Sequence, residues 1–452
     1  MSSVRQSPGV AGPRVLVPAA VAIVVGLAAL LATVGSDAQW LAALGHSIVA
    51  HDAIPKGVPF AVAPTGHWPN VLVLAELIFE GLEAALGDRG LMLAQLLAAA
   101  FALWMLARDA GDGGAEPAGI AGALLLAGVG ALPSLAIARV QVFSIALFPV
   151  LIALLRAEAR RPSWRIWLVV PLVALWSNLH GAALLGEGVV LAYLILARVR
   201  SERGRSLAVA ATSILALGLT PAVWHTVAYY HGVLTNVAAQ RGEGMWGPLS
   251  LSAPLDIVLI LAALLMAFRL RRARPALWEW CVIAALAALT LKAERNGVWL
   301  LFFLVAPAAR TINPRRTWIS LMPVAAAASV AALGFAIVRG PVAGGTSPGV
   351  LARAISMAGG SPVLADGSID EQVALAGGRI WAGNPIDAFS RSDQAAYLDW
   401  IAGAPGGRRA LAPDVRIVLV TDGTGSQLLM RDTPGFAAVG GDRKTAIYER
   451  TG

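Results

Sequence analysis

Residues 15–50 read VLVPAAVAIVVGLAALLATVGSDAQWLAALGHSIVA, an uncharged apolar run that stops at Ser36-Asp37 and is followed at once by a different pattern. The first part has the length and composition of a helix crossing a bilayer core of about 30 Å. The second part, Ala38 to Ala50, puts Trp40, Leu41, Leu44 and Ile48 on one stripe, as a helix lying in a membrane interface requires. Ile54-Pro55-Lys56-Gly57-Val58-Pro59-Phe60 then reads as a rigid extended turn inside the long loop 36–69. Asp37 sits at the junction, with two readings: an N-cap for the loop helix, or a partly desolvated carboxylate able to take a proton from an attacking hydroxyl.

The rest of the chain repeats the first pattern. Hydrophobic residues make up 57% of its 452 residues, charged residues 14%, and the mean hydropathy is +0.70, which excludes an ordinary soluble domain. Counting apolar segments of near-spanning length predicts a mainly α, polytopic transmembrane bundle of about 11 spans, near 15–35, 90–107, 118–134, 141–157, 165–178, 182–198, 207–220, 254–269, 275–291, 296–312 and 317–338. Arg5 and Arg14 precede the first span with no clear cleavage site after it, so it reads as a retained span. Residues 70–86 are apolar too, but carry Glu76, Glu80 and Glu83. They read as a juxtamembrane or re-entrant helix, with a twelfth span as the alternative.

With 11 crossings, Arg5 and Arg14, Arg156 to Arg165, Arg198 to Arg205, Arg269 to Arg274, and Arg310 to Arg316 fall on one side, the cytoplasmic side by the retention of positive loops. The protein is then a multi-pass plasma-membrane protein with a cytoplasmic N-terminus. The net charge of +8 is spread over these short loops, which argues against a nucleic-acid partner. Cys281 has no second thiol to pair with and reads as packing. Residues 1–339 form the expected bundle and 340–452 a small external α/β domain, joined through the Gly-Pro-rich stretch 340–349. In it Pro362 to Asp366, Arg379 to Ala382, Arg416 to Thr421 and Ala446 to Arg450 read as strands, with helices over 368–376 and 390–402. No catalytic set is visible there; covering the external opening or holding an acceptor or partner is its expected role.

On this topology all six histidines and a set of ionisable groups gather at the external ends of the spans: Asp37, Arg139 with Gln141, Asn178 with His180, Arg241 with Glu243, and Arg295. Charged groups beside the apolar slab are costly unless they pair or line a wet cavity, so such a gathering marks a candidate site. Each member also has a plainer reading. The arginines suit headgroup anchoring, Asn178 and His180 suit backbone groups at a helix break, and the glutamates of 70–86 suit a solvated face. Trp224 to Gln240 reads as a second interface-lying element or an aromatic belt, and Arg241 to Trp246 as a mobile loop able to close over a lipid.

The order Asp37-Ala-Gln-Trp40, Ile54-Pro55, Pro59-Phe60, Gly66-His67-Trp68, then Arg139-Val-Gln141-Val-Phe143-Ser144, Trp176-Ser-Asn178-Leu-His180-Gly181, Arg295-Asn296 and Asn384-Pro385-Ile386-Asp387-Ala388-Phe389 resembles bacterial multispan proteins of the GT-C glycosyltransferase superfamily. The resemblance implies a GT-C-like bundle that moves a sugar from a polyprenyl-phosphate carrier to a glycan, lipid or protein acceptor at the external face. It also implies a catalytic acid in the first external loop, for which Asp37 is the matching position. Some relatives use a divalent metal such as Mg or Mn and others none; no residue is assigned here as a metal ligand. The chemistry needs positive charge for the leaving phosphate, which selects Arg139 and Arg295 first and Arg241 after them; Gln141, Asn178, His180 and Glu243 complete the substrate-binding candidates. Related sequences carry a Glu-Trp pair soon after the loop tryptophan. Here Trp68 is followed by Pro69-Asn70-Val71, and the nearest carboxylate is Glu76, the second catalytic candidate. That departure keeps open a catalytically silent scaffold or lipid-binding protein. A transporter or flippase, supported only by Glu187 and Pro171 within spans, is the third reading.

Overall fold

A computed structural model describes residues 13–313, 316–342 and 344–451. Arg5 and Arg315 of the basic clusters lie outside the described residues. The chain is mainly helical. In order come α1 (Pro13–Leu30), strand β1 (Thr33–Val34), α2 (Ala38–His51), α3 (Val73–Leu86), α4 (Asp88–Asp112), α5 (Pro117–Gly130), α6 (Leu132–Ala136), β2 (Ile137–Ala138), α7 (Gln141–Arg160), α8 (Val169–Ser177), α9 (Ala183–Tyr193) and α10 (Arg203–Ala216). Then follow α11 (Thr226–Thr235), α12 (Val237–Arg241), α13 (Pro254–Ala273), α14 (Leu277–Lys292), α15 (Gly297–Ala309) and α16 (Arg316–Arg339). Each of the apolar segments expected to span contains one of these helices.

Few of these helices match a full span in length. Among the described residues only Asp88–Asp112, Gln141–Arg160 and Ser320–Arg339 are both long and apolar enough to cross a membrane unaided. The others fall short for readable reasons. Asp256, Arg269, Arg271 and Arg272 charge the ends of α13, a π-turn at Leu194–Arg198 ends α9 early, and α15 has only 13 residues. Helix α15 shows why short helices suffice here: all 13 residues are buried, so neighbouring helices surround it on every face.

The bundle has two chemically different ends. At one, Arg156 of α7 donates to Asp109 of α4 at 2.7 Å, to Glu279 of α14 at 2.9 Å and to the Phe303 carbonyl of α15 at 2.8 Å, and its guanidinium lies 4.5 Å from the Phe303 ring. One buried cation thus ties four helices. We expect Arg156→Ala to strand two buried carboxylates and to lower stability by about 3–5 kcal/mol, read as a fall in the unfolding temperature of the purified protein. Arg198 and Arg205 pair with Glu202 in the turn between α9 and α10.

The other end carries Asp37. Helix α4 begins there, because Asp88 accepts from the side chain of Gln39 at 3.0 Å. Helix α3 therefore starts and finishes at this end. It packs along α2, with the Glu76 carbonyl where a Cβ on Gly45 would lie 2.2 Å away, and turns back onto α4 at Gly87. This favours the juxtamembrane reading of 70–86 over a twelfth span. The end of α16 returns to the same place: Arg339 donates to the carbonyls of Ala29 and Leu30, and the Val342 amide donates to the Ala32 carbonyl.

The C-terminal residues add α17 (Pro348–Ala358), β3 (Val363–Ala365), α18 (Ser368–Leu375), α19 (Arg391–Ile401), β4 (Ile417–Thr421), α20 (Gly425–Arg431), β5 (Phe436–Gly441) and β6 (Thr445–Arg450). The sheet order is β3-β4-β6-β5, with β3 and β4 parallel and the other pairs antiparallel. Residues 379–382 form no strand of this sheet. They bridge instead: the Val363 amide donates to the Arg379 carbonyl, while the Val62 and Ala63 amides of the first loop donate to the Ile380 and Trp381 carbonyls. One hydrophobic core accordingly joins Trp40, Leu41 and Trp68 of the loop to Leu364, Trp381 and Trp400 of the C-terminal residues. The loop and the α/β unit form one layer over the Asp37 end.

Candidate active site

The short parallel pair β1–β2 builds the centre of the site. Thr33 and Val34 pair with Ile137 and Ala138, and the Gly35 amide donates to the Ala138 carbonyl at 3.0 Å. Residue 35 must be small, since a Cβ there would lie 2.3 Å from the Ile137 side chain and 3.2 Å from the Arg139 side chain. This pairing sets Asp37 beside Arg139. Both arginines of the site precede a helix by two residues, Arg139 before α7 and Arg295 before α15. Two guanidinium groups and two helix starts, each with partial positive charge, face one region.

Electrostatics ties the cluster together. Asp37 acts on both Arg139 and Arg295 as a favourable negative charge, while burial and their mutual repulsion lower the pKa of Arg139. The Arg295 guanidinium lies 4.4 Å from the Trp246 ring. His180 feels both arginines; they and, above all, burial push its pKa down to about 3. The ring is therefore neutral at pH 7. Trp176 donates to Ser144 Oγ at 2.6 Å, and Ser144 Oγ shares a further hydrogen bond with His180 Nδ1, also at 2.6 Å. Ser144 thus fixes the orientation of a neutral ring.

The C-terminal layer supplies two carboxylates that were not among the site candidates read from the sequence. Asp387 accepts from the Trp68 indole at 2.9 Å, and burial raises its pKa to about 6, with Asp37 adding to the rise. Glu371 accepts from the Asp37 amide at 2.9 Å and from Asn384 at 2.7 Å. Tyr229 is buried close by, in the field of Asp387, Asp37 and Arg295, with its hydroxyl 3.2 Å from where a Cβ on Gly181 would be. These residues lie hundreds of positions from Asp37. The only local signal was the aromatic and acidic character of Tyr229 and Asp387.

Other candidates are placed elsewhere. The Asp37 side chain makes no cap to α2, which removes the N-cap reading; its Oδ1 accepts from the Trp40 indole at 3.3 Å. Asn178 donates to the Ala174 and Leu219 carbonyls, so its amide closes the α8–α9 break, while Gln141 is buried at the start of α7. Arg241 pairs with Asp399 at 2.8 Å and with Glu243 at 3.5 Å on the surface of the C-terminal layer, its charge complemented by α19, while Trp246 of the same loop lies against Arg295. The loop is tethered as well as charged: Arg391 donates to the Thr235 carbonyl and Gln394 accepts from the Val237 amide.

Glu76 is fully buried between α2 and α3, where Asn70 donates to its Oε2 at 2.8 Å. Burial raises its pKa to about 8. A carboxyl raised in the fold favours the folded state most below its ordinary pKa and loses that advantage as pH rises through the raised value. At pH 7 the penalty is on the order of 3 kcal/mol. Glu76→Gln should therefore raise the unfolding temperature between pH 7 and 9 and leave it unchanged near pH 4, as thermal scans across pH would show.

Among the described residues no three His, Cys, Asp or Glu side chains gather as ligands, and Asp37 faces Arg139 and Arg295. What the cluster does suit is an anion between Arg139 and Arg295, beside a carboxylate able to accept a proton.

No protein-family model and no curated relative matches the chain by sequence. Its fold does match solved structures. ArnT from Cupriavidus metallidurans bound to undecaprenyl phosphate aligns with a TM-score of 0.52 at 12% identity, over 96% of this chain and 97% of that one. The arabinofuranosyltransferase AftD from Mycobacteria aligns with a TM-score of 0.51 at 13% identity, over 99% of this chain. The chain spans 42% of AftD. Both are GT-C glycosyltransferases.

Proposed function

We propose that this chain, a membrane protein with a GT-C-like fold, transfers a sugar from a polyprenyl-phosphate carrier to an acceptor hydroxyl at the external face of the plasma membrane. The observation that carries the reading is the Asp37 carboxylate set against two buried or half-buried arginines at helix starts. The acceptor oxygen bonds to the anomeric carbon as the bond from that carbon to the phosphate oxygen breaks. Asp37 takes the hydroxyl proton, and Arg139 and Arg295 hold the polyprenyl phosphate that leaves with its electron pair. The neutral His180 and Tyr229 orient the sugar. Exclusion of water by the C-terminal layer strengthens each of these charges.

The chemical difference between the two ends of the bundle supports this sidedness. The arginine-rich turns around Arg156, Arg198 and Arg269 lie opposite Asp37 and take the cytoplasmic side, with 11 helical crossings and the unit 340–452 outside. The short helices cross where the bundle shields them. A second reading, a lipid-binding scaffold without turnover, is favoured by the missing Glu-Trp pair after Trp68 and by Glu76, whose environment is burial and Asn70 rather than the Asp37 cluster.

Photo-crosslinking separates the fold from the site. A polyprenyl phosphate carrying a photoreactive group near its phosphate should label the protein next to α7 and α15. Arg139→Ala with Arg295→Ala should abolish that labelling. Labelling that persists in the double variant would place the carrier elsewhere and end this reading.

A further inference from the structure

The loop helix α2 begins in an unusual way. Asp37 occupies its N-cap position in a left-handed conformation, φ 82°, and contributes no side-chain cap. An N-cap side chain ordinarily accepts from the second and third helical amides. Those amides, Gln39 and Trp40, donate instead to Glu371 Oε2 at 3.3 and 3.4 Å. The Asp37 amide donates to both Glu371 oxygens, at 2.9 and 3.1 Å. Asn384 holds Oε1 from the other side at 2.7 Å.

We propose that Glu371 is the positioning residue of the site: a carboxylate from the C-terminal layer takes over the cap of α2, holds Asp37 in its left-handed conformation, and so frees the Asp37 side chain to face Arg139 and Arg295. The proposal rests on the reading of Asp37 as the base, and adds that the base is aimed by a residue 334 positions away. Three backbone amides and one side-chain amide converge on a single buried carboxylate at a helix start, where negative charge is favoured. Burial and the neighbouring Asp370, which accepts from Tyr397 at 2.7 Å, push the Glu371 carboxyl up, and the Asp37 and Asn384 donors oppose that rise. Without Glu371, Asp37 would turn to cap its own helix and leave the arginines.

Hydrogen exchange on the full-length protein in lipid nanodiscs reads the cap without any substrate. Glu371→Gln should speed exchange of the Gln39 and Trp40 amides about five- to tenfold, with strand β4 unchanged. Asp37→Asn should leave those amides slow, because the Asp37 side chain is not their cap. Unchanged exchange in Glu371→Gln, or fast exchange in Asp37→Asn, would overturn the proposal. If Glu371→Gln does not fold, Asn384→Ala substitutes for it: faster exchange supports the role and unchanged exchange refutes it. Turnover supplies the second readout. A positioning role lowers kcat by about 10- to 100-fold with KM little changed, and Glu371→Asp restores part of it; a merely structural role would move KM and unfolding temperature together. Absence of turnover in the wild type as well would count against the transferase reading and leave the exchange result standing.

Discussion

Asp37→Asn is expected to lower sugar transfer by about 10²- to 10⁴-fold while polyprenyl phosphate still binds. The asparagine keeps the shape and can accept from the Trp40 indole, so the loop helix and its Glu371 cap persist. What disappears is the group that takes the proton. The two neighbouring carboxylates do not replace it. Asp387 is held by Trp68, and Glu371 is occupied by backbone amides. Measurement of kcat and KM for the donor separates the outcomes, since a fall in kcat at constant KM is what loss of a proton acceptor produces. A variant retaining full activity would remove Asp37 from the mechanism.

The second large effect concerns the leaving group. Removing either Arg139 or Arg295 as alanine should cost about 10²- to 10³-fold in kcat, with weaker carrier binding as well, because charge on the phosphate exists before and grows during bond breaking. The two losses should not add, as both groups act on one phosphate. Arg295→Lys is a sharper probe than alanine. It keeps the charge but loses the planar contact with Trp246 and the two-pronged grip on phosphate oxygens. A lysine variant nearer to alanine than to wild type would assign the effect to geometry as well as charge.

Much of this arrangement is legible in the sequence because helix chemistry is local. Apolar runs locate each bundle helix, and the three glutamates of 70–86 separate α3 from the spans. Asp37, Arg139, His180 and Arg295 could be grouped because each stands at the same kind of position, the end of an apolar run on one side of the membrane. What spacing cannot show is how the long loop and the C-terminal layer meet. The hydrogen bonds between the loop amides at 62–63 and the carbonyls at 380–381 leave no periodic trace, and Glu371 and Asp387 look like ordinary turn and helix acids until the fold brings them to Asp37. Arg241 and Glu243 mislead for the converse reason. Their glycine-rich setting suggests a free loop, but Arg241 pairs with Asp399, more than 150 positions later, and Glu243 with Arg241. Strand β5 is hidden by its small residues and a register shift at Ala438 and Gly440.

The two ends of the bundle also explain why stability and function separate in this chain. The ion network of Arg156 ties helices together through Asp109, Glu279 and the Phe303 carbonyl, whereas the charges of Asp37, Arg139 and Arg295 act on one another at the opposite end. Substitutions at the first end should act through folding and at the second through turnover.

The most direct test is turnover of a radiolabelled polyprenyl-phosphate sugar by the purified wild-type protein in lipid nanodiscs, across a panel of sugars and acceptors, beside Asp37→Asn. Release of free polyprenyl phosphate together with labelled product, present in the wild type and abolished in the asparagine variant, is the predicted result. Equal release by both proteins, or binding of the carrier with no release by either, would contradict it.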